Sequence, residues 1–241
     1  MLIKTRGIIF RAVKYSETSI IADIYTEEKG LRAYIISGVR KKHSKVSAGL
    51  LQVMSLVDMV AYYRNEKDLH RIKEIKAAHI YVRLPFDVAR SAVGIFMIEL
   101  ARKTIRESEA NPRLFHFLFS SFQFLDKSEH SVTNVHLHFM IQLSGFLGFM
   151  PGGSVREGTP FFDLKEGIFI SNEAGHIHIL NKEESLLLYH LLESPLNECH
   201  QIKMNKDVRR KLLNSLLDFY KLHIENFPTI NAHLILQEVL G

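Results

Sequence analysis

The sequence predicts an α+β chain of two domains. A small closed barrel of five strands covers residues 1–80, and a mainly α-helical domain covers residues 81–241, with a small β insertion at 151–180. Three observations predict this. Apolar residues alternate with period two up to about residue 80 and follow a helical period from Pro85 onward. Residues 1–80 hold 15 Lys and Arg against 8 Asp and Glu, an excess of seven, whereas residues 81–241 hold the remaining 16 against 18. The chain, 241 residues at 46% hydrophobic content, has ample core for one large domain or two smaller ones.

The strands are "GIIFRAVKY", "TSIIADIYT", "LRAYIIS", "LQVMSLVDMVAYYR" and "HRIKEIKAAHI", rich in Ile, Val and Tyr. In the second, Ile20, Ala22 and Ile24 share one face, and Ser19, Asp23 and Tyr25 the other. In the third, Leu31, Ala33 and Ile35 oppose Arg32, Tyr34 and Ile36. Gly30 after "TEEK" supplies the positive φ of a tight hairpin, which pairs the second and third strands directly. Five short strands in this length make a small closed barrel, and the oligonucleotide-binding (OB) barrel is the commonest five-stranded version.

Beyond the barrel, "PFDVARSAVGIFMIELARKTIRES" opens with a first-turn Pro and spaces Val88, Val93, Phe96 and Leu100 for a buried stripe. "NPRLFHFLFSSFQFLDKS" starts with an Asn cap and Pro, and its Phe residues at 115, 117, 119, 122 and 124 wrap the helix as a core element would. A third helix, "SVTNVHLHFMIQLSGFLGF", stops before "MPGG". Residues 151–180 lose the helical period and read as strands and turns. "NKEESLLLYHLLES" then opens with Asn181 and Glu184 in capping-box spacing. An amphipathic helix from Asn205 and a last one, "TINAHLILQEVL", close the chain.

The function classes narrow by exclusion. One cysteine, Cys199, rules out a disulfide framework and a multi-cysteine zinc site, and fits a reducing compartment. No secretory leader and no membrane-length apolar run is present, so a soluble, cytoplasmic protein without membrane partners is expected. Among 13 histidines, His136 and His138 point to different helix faces. His176 and His178 share a strand face and could hold a metal weakly, but surface histidines are the better reading. Cys199 beside His200 sits in a polar stretch without an orienting acid, and the pairs Glu27–Glu28 and Glu183–Glu184 read as solvated acids at a turn and a helix start. No phosphate-cradling Gly loop, nucleophile elbow or zincin helix occurs. No catalytic residue, cofactor or metal is therefore expected, and the chain is not expected to be an enzyme.

What remains is the basic barrel. "SGVRKKHSK" packs four cations and a histidine into nine residues, and such charge points to a polyanion, nucleic acid ahead of membrane. A solubilising surface explains the charge about equally well. OB barrels hold single strands with a charged groove and aromatic platforms. The candidate DNA-binding residues are Arg32 and Tyr34, the loop residues Arg40, Lys41, Lys42 and Lys45, then Arg64 and Lys73. Tyr62 and Tyr63, just before Arg64 at the end of the fourth strand, are outward candidates as well, and Lys76 lies with Lys73 on or near the fifth.

Order and spacing of short motifs resemble the RecO family of bacterial recombination mediators over nearly the whole chain. They are Tyr15, Glu17 and Ser19, then Thr26 and Gly30, then Gly38, Arg40 and Ser44, followed by "LSGFLGFMPG", "FFDLKEGIF" and the ending from Arg209. The resemblance implies a non-enzymatic role in DNA repair. The implied tasks are binding single- and double-stranded DNA, annealing complementary strands, and assisting RecA loading with RecR on strands coated by single-strand binding protein, in a cytoplasmic, nucleoid-associated setting. It places DNA contacts on the barrel's basic surface, at Arg40, Lys41 and Lys42. Many members carry four zinc-binding cysteines in the region matching 151–180; this chain has none there, so the insertion must hold itself by packing. The alternative is an RNA-binding or regulatory OB-fold protein whose helical domain is a protein-docking scaffold, with a nuclease behind it for want of an acidic cluster.

Overall fold

The computed structural model describes residues 1–39, 48–64, 66–106, 108–155, 160–172 and 175–240. In chain order the elements are β1 (Leu2–Lys14), β2 (Ile20–Thr26), β3 (Gly30–Ile36), β4 (Leu56–Tyr62), β5 (Leu69–Ala77), α1 (Val88–Thr104), α2 (Pro112–Lys127) and α3 (Val135–Phe146). There follow β6 (Phe161–Asp163), β7 (Ile168–Ile170), β8 (Ile179–Leu180), α4 (Lys182–Glu193), α5 (Lys206–His223) and α6 (Ala232–Leu240). They form two units: residues 1–83 with 105–126, and residues 84–104 with 127–241.

The first unit is a closed barrel of order β1-β2-β3-β5-β4. The long β1 closes it, pairing with β4 through Leu2–Ile8 and with β2 through Gly7–Lys14. Gly7 sits where the two pairings overlap, and a Cβ there would lie 2.6 Å from the Ile24 methyl. Such a corner needs glycine. The β2–β3 hairpin pairs Thr26 with Gly30, and Gly30 has φ +60° as its place in the turn requires. β3 and β5 run parallel, with Tyr34 opposite His70.

The interior is filled by Ile9, Ala22, Ile24, Tyr34, Ile36, Val57, Met59 and Ile72 among others. The fourth strand is shorter than its apolar run. Ala48–Leu51 form a 3-10 turn, Met54 takes φ +75°, and pairing begins only at Leu56.

Helix α2 belongs to the barrel unit. It covers the outer face at β1 and β2, where Phe10 stacks on Tyr25 at 5.5 Å and Tyr25 meets Phe115 at 6.3 Å. Tyr25, on the outward face of β2, is therefore fully buried. Glu27 is not a solvated turn acid. It takes two hydrogen bonds from the Arg6 guanidinium, both at 2.9 Å, and that guanidinium lies over the rings of Phe119 and Phe115 at 5.0 and 5.5 Å. At the helix end the buried Asp126 accepts from Val82 N (2.9 Å) and Arg83 N (2.8 Å) and sits 2.9 Å from His79 Nε2, pinning the chain leaving β5.

The second unit is built around α3, whose residues Val135–Ile141 are all buried, with α1, α4 and α5 against it. A helix surrounded on all sides has little polar face to show, which is why its sequence is apolar nearly all round. Both its histidines, His136 and His138, are inside. α1 starts later than its Pro: Asp87 Oδ1 caps Arg90 N at 3.0 Å, and Val88, expected in the buried stripe, is 71% exposed while Val93, Phe96 and Leu100 are buried. The capping box read from sequence at Asn181 holds, and α5 has an N-cap of its own. Asn181 Oδ1 accepts from Glu184 N at 2.9 Å, and Asn205 Oδ1 accepts from Val208 N at 2.9 Å.

The insertion is a three-stranded sheet of order β7-β6-β8. Phe162 meets Phe169 at 4.9 Å and Phe219 at 5.9 Å, and Asp163 Oδ1 accepts from Lys165 N at 2.8 Å. His176 Nε2 lies 3.3 Å from the Asp163 carboxylate. Cys199 is not in a polar loop. It is buried in a 3-10 turn, and burial pushes its thiol up to about 11, which leaves it inert.

Candidate nucleic-acid interface

Another part of the barrel surface, lined by no residue of α2, is recessed. There the end of β4, the loop after it and the first half of β5 border a cleft of about 900 Å³. Alternation along β5 builds one wall: His70 and Ile72 turn inward, while Leu69, Arg71 and Lys73 turn outward. Arg64 and Lys67 come from the connecting loop, Tyr62 and Tyr63 from the end of β4. Four cations thus line the cleft, and none of its described lining residues is a carboxylate. Glu66 and Asp68 lie in the same loop without lining it, and Glu74 comes within 3.6 Å of Lys73.

Aromatic rings form the floor. Tyr63 stacks on His70 at 4.3 Å between centroids, 22° from parallel, and the Lys29 ammonium lies 4.9 Å from the Tyr63 centroid. His70 is 2% exposed, and neither ring nitrogen has a hydrogen-bond partner among the described residues. Burial, and then the charge of Arg32, hold its pKa below the usual histidine value, so it is neutral at pH 7. Burial pushes the Tyr34 phenol up to about 12.

The sequence-predicted residues divide accordingly. Arg64 and Lys73 are in the cleft. Arg32 is half-buried with Nη1 donating to Leu31 O at 3.1 Å, and does not line it. Tyr34 is a correction: it faces the barrel interior, because even-numbered residues of β3 point inward opposite Ala22. Arg40, Lys41, Lys42 and Lys45 lie outside the described residues, though Ser37, three residues before Arg40, lines the cleft. Lys76 stands apart from it, paired with Asp58 at 3.7 Å. Lys67 and Arg71 lie outside the sequence-predicted set; for Arg71 the run "LHRIK" carries the signal, since its outward positions alternate with His70 and Ile72, whereas Lys67 sits in the loop before it, where no period marks it. Among the described residues no group of three metal-ligating side chains gathers, around His176 and His178 or elsewhere.

Residues 1–81 match the family model described as recombination protein O N terminal, and residues 85–229 match recombination protein O C terminal. The chain belongs to the RecO family. It is 34% identical over 242 residues to the DNA repair protein RecO of Phocaeicola vulgatus, with 100% of both chains covered. To the protein of that name from Christiangramia forsetii it is 36% identical, again over 100% of both, and to that of Bacteroides fragilis 32% over 99% of both. Membership in RecO makes this a DNA repair protein and is consistent with a recombination mediator. In this RecO chain the basic cleft is carried wholly by the N-terminal barrel. No helix among the described residues is long and apolar enough to cross a membrane.

Proposed function

We propose that this RecO-family protein binds single- and double-stranded DNA through the cations of the barrel cleft and anneals complementary strands. With RecR it assists the loading of RecA onto strands coated by single-strand binding protein. It does this without bond-making chemistry of its own. The observation that carries the reading is the cleft itself, where Arg64, Lys67, Arg71 and Lys73 converge and no carboxylate stands among the described lining residues. Cations at such a site neutralise phosphates and release counterions, and that entropy drives binding that ignores sequence. Bringing two screened strands onto one basic surface lowers their mutual repulsion and lets them pair. The annealing step needs no nucleotide hydrolysis.

The test is DNA binding across a salt series, with the full chain and two variants. One carries Arg64, Lys67, Arg71 and Lys73 changed to Ala; the other carries Arg40, Lys41 and Lys42 changed to Ala. Each single-strand phosphate contact contributes about 0.7 to the log–log salt slope, so loss of four contacts flattens it by up to ~2.8. The cleft variant is expected to bind more weakly, with that flatter slope, and to anneal complementary oligonucleotides more slowly. An unchanged slope in the cleft variant, with a flattened one in the loop variant, would move the DNA path away from the cleft.

A further inference from the structure

We propose that Tyr62 is the stacking platform for an unpaired base, so that the cleft selects single-stranded over duplex DNA. The proposal rests on the reading of the cleft as DNA-binding and adds the residue that discriminates. The chain has eight tyrosines. Tyr25, Tyr34, Tyr63, Tyr81, Tyr189 and Tyr220 each face another ring or donate to a backbone carbonyl. Tyr15 and Tyr62 do neither among the described residues, and they are 63% and 48% exposed. Tyr15 does not line the cleft, whereas Tyr62 does.

The register supplies the rest. Tyr62 is opposite Leu2 on β1 and opposite Arg71 on β5, so an outward ring stands between an aliphatic side chain and a guanidinium. That juxtaposition matches a nucleotide, whose base has a flat apolar face and whose phosphate seeks a cation. Lys73 and Arg64 extend the positive charge to the neighbouring phosphates of a strand. A duplex offers the same phosphates, but its bases are stacked on one another and cannot reach the ring. Only an unpaired base gains the stacking energy, about 1–3 kcal/mol per base, which is roughly 5- to 140-fold in affinity. The competing reading is a solvated ring at a strand end with no ligand.

The experiment measures binding of the full chain to three DNAs of one length: oligothymidylate, a strand of abasic sites, and a duplex. The proteins are wild type, Tyr62→Ala, Tyr62→Phe, and the four-cation variant. Tyr62→Ala is expected to weaken oligothymidylate binding by roughly 5- to 140-fold. It should leave abasic and duplex binding and the salt slope unchanged, and Tyr62→Phe should bind like wild type. Weakening of all three DNAs alike by Tyr62→Ala, or of none, overturns the stacking role. If the four-cation variant still flattens the slope in that case, the cleft remains the DNA site and only Tyr62 is wrong; if it does not, both readings fall together.

Discussion

At the level of single residues, charge in this barrel does two different jobs, and exposure does not tell them apart in sequence. Arg6 and Arg71 both sit on strands of a basic segment, yet Arg6 is committed to Glu27 and the rings of α2, whereas Arg71 faces the open cleft. The Glu27 carboxylate is 23% exposed and the Arg6 side chain 36%, so solvent screens part of the pair, while its two-point geometry keeps it stronger than an ordinary surface ion pair. The hydrogen bonds from Arg6 hold the Glu27 carboxyl below the usual carboxylate range. Its stabilisation is thus present above the unfolded-state pKa and is lost as pH falls through the folded one. Glu27→Gln is expected to destabilise the protein by about 1–2 kcal/mol at pH 7 in urea titrations, with the gap to wild type closing below about pH 4. Equal midpoints at pH 7 would show that the pair contributes nothing to stability.

At the level of elements, period and caps were readable where local chemistry sets them. The Asn181–Glu184 box and the Gly30 turn are written in adjacent residues, and both formed as read. The late start of β4 at Leu56 was not legible, because Leu51, Val53 and Met54 carry the apolar character of the strand back to residue 51. Helix α3 hid its histidines for a similar reason: a helix packed on every side has no phase by which to place them. His136 is edge-on to Phe96 at 6.0 Å, and its Nδ1 has no hydrogen-bond partner among the described residues. Burial first, and then the charge of Arg209, push its pKa down to about 3. Lys206 and Arg210 line the same small cavity, so no described lining residue favours the imidazolium. His138, held by Ser194 O at 3.0 Å, is lowered in the same direction by burial.

A histidine with a lowered folded pKa takes up its proton first in the unfolded chain. Stability therefore falls as pH drops below the unfolded value near 6.5 and keeps falling to the folded one. His136 alone should remove about 2 kcal/mol between pH 7.5 and 5. In His136→Gln, chemical denaturation over that range should show a correspondingly shallower loss. A variant that loses stability with pH as steeply as wild type would show that His136 is not the acid-sensitive group.

At the level of the whole chain, the change of hydrophobic period near residue 80 marked where the strands end, and the charge asymmetry put the excess of cations in the same segment. Neither could say that residues 105–126 return to the barrel after α1 has been built into the other unit. An amphipathic stripe announces that a helix face is buried but carries no information about what buries it. Packing supplies the consequence. Phe10 and Tyr25 are outward-facing on their strands and nearly fully buried, and Phe115 of α2 is what lies over Tyr25. An aromatic side chain buries about 150–250 Å², worth roughly 4–6 kcal/mol per ring as an upper bound, against a typical total stability of about 5–15 kcal/mol. The same helix carries Asp126, which caps the chain leaving β5, and the segment before it brings Glu109 O against Gly30. A fragment ending at residue 83 keeps every barrel strand yet loses all of these contacts. It is expected to show no cooperative thermal transition by circular dichroism and to bind a hydrophobic dye, while the full chain melts cooperatively. A fragment that melts sharply, near the full chain's midpoint, would mean that α2 rests on a barrel already complete without it.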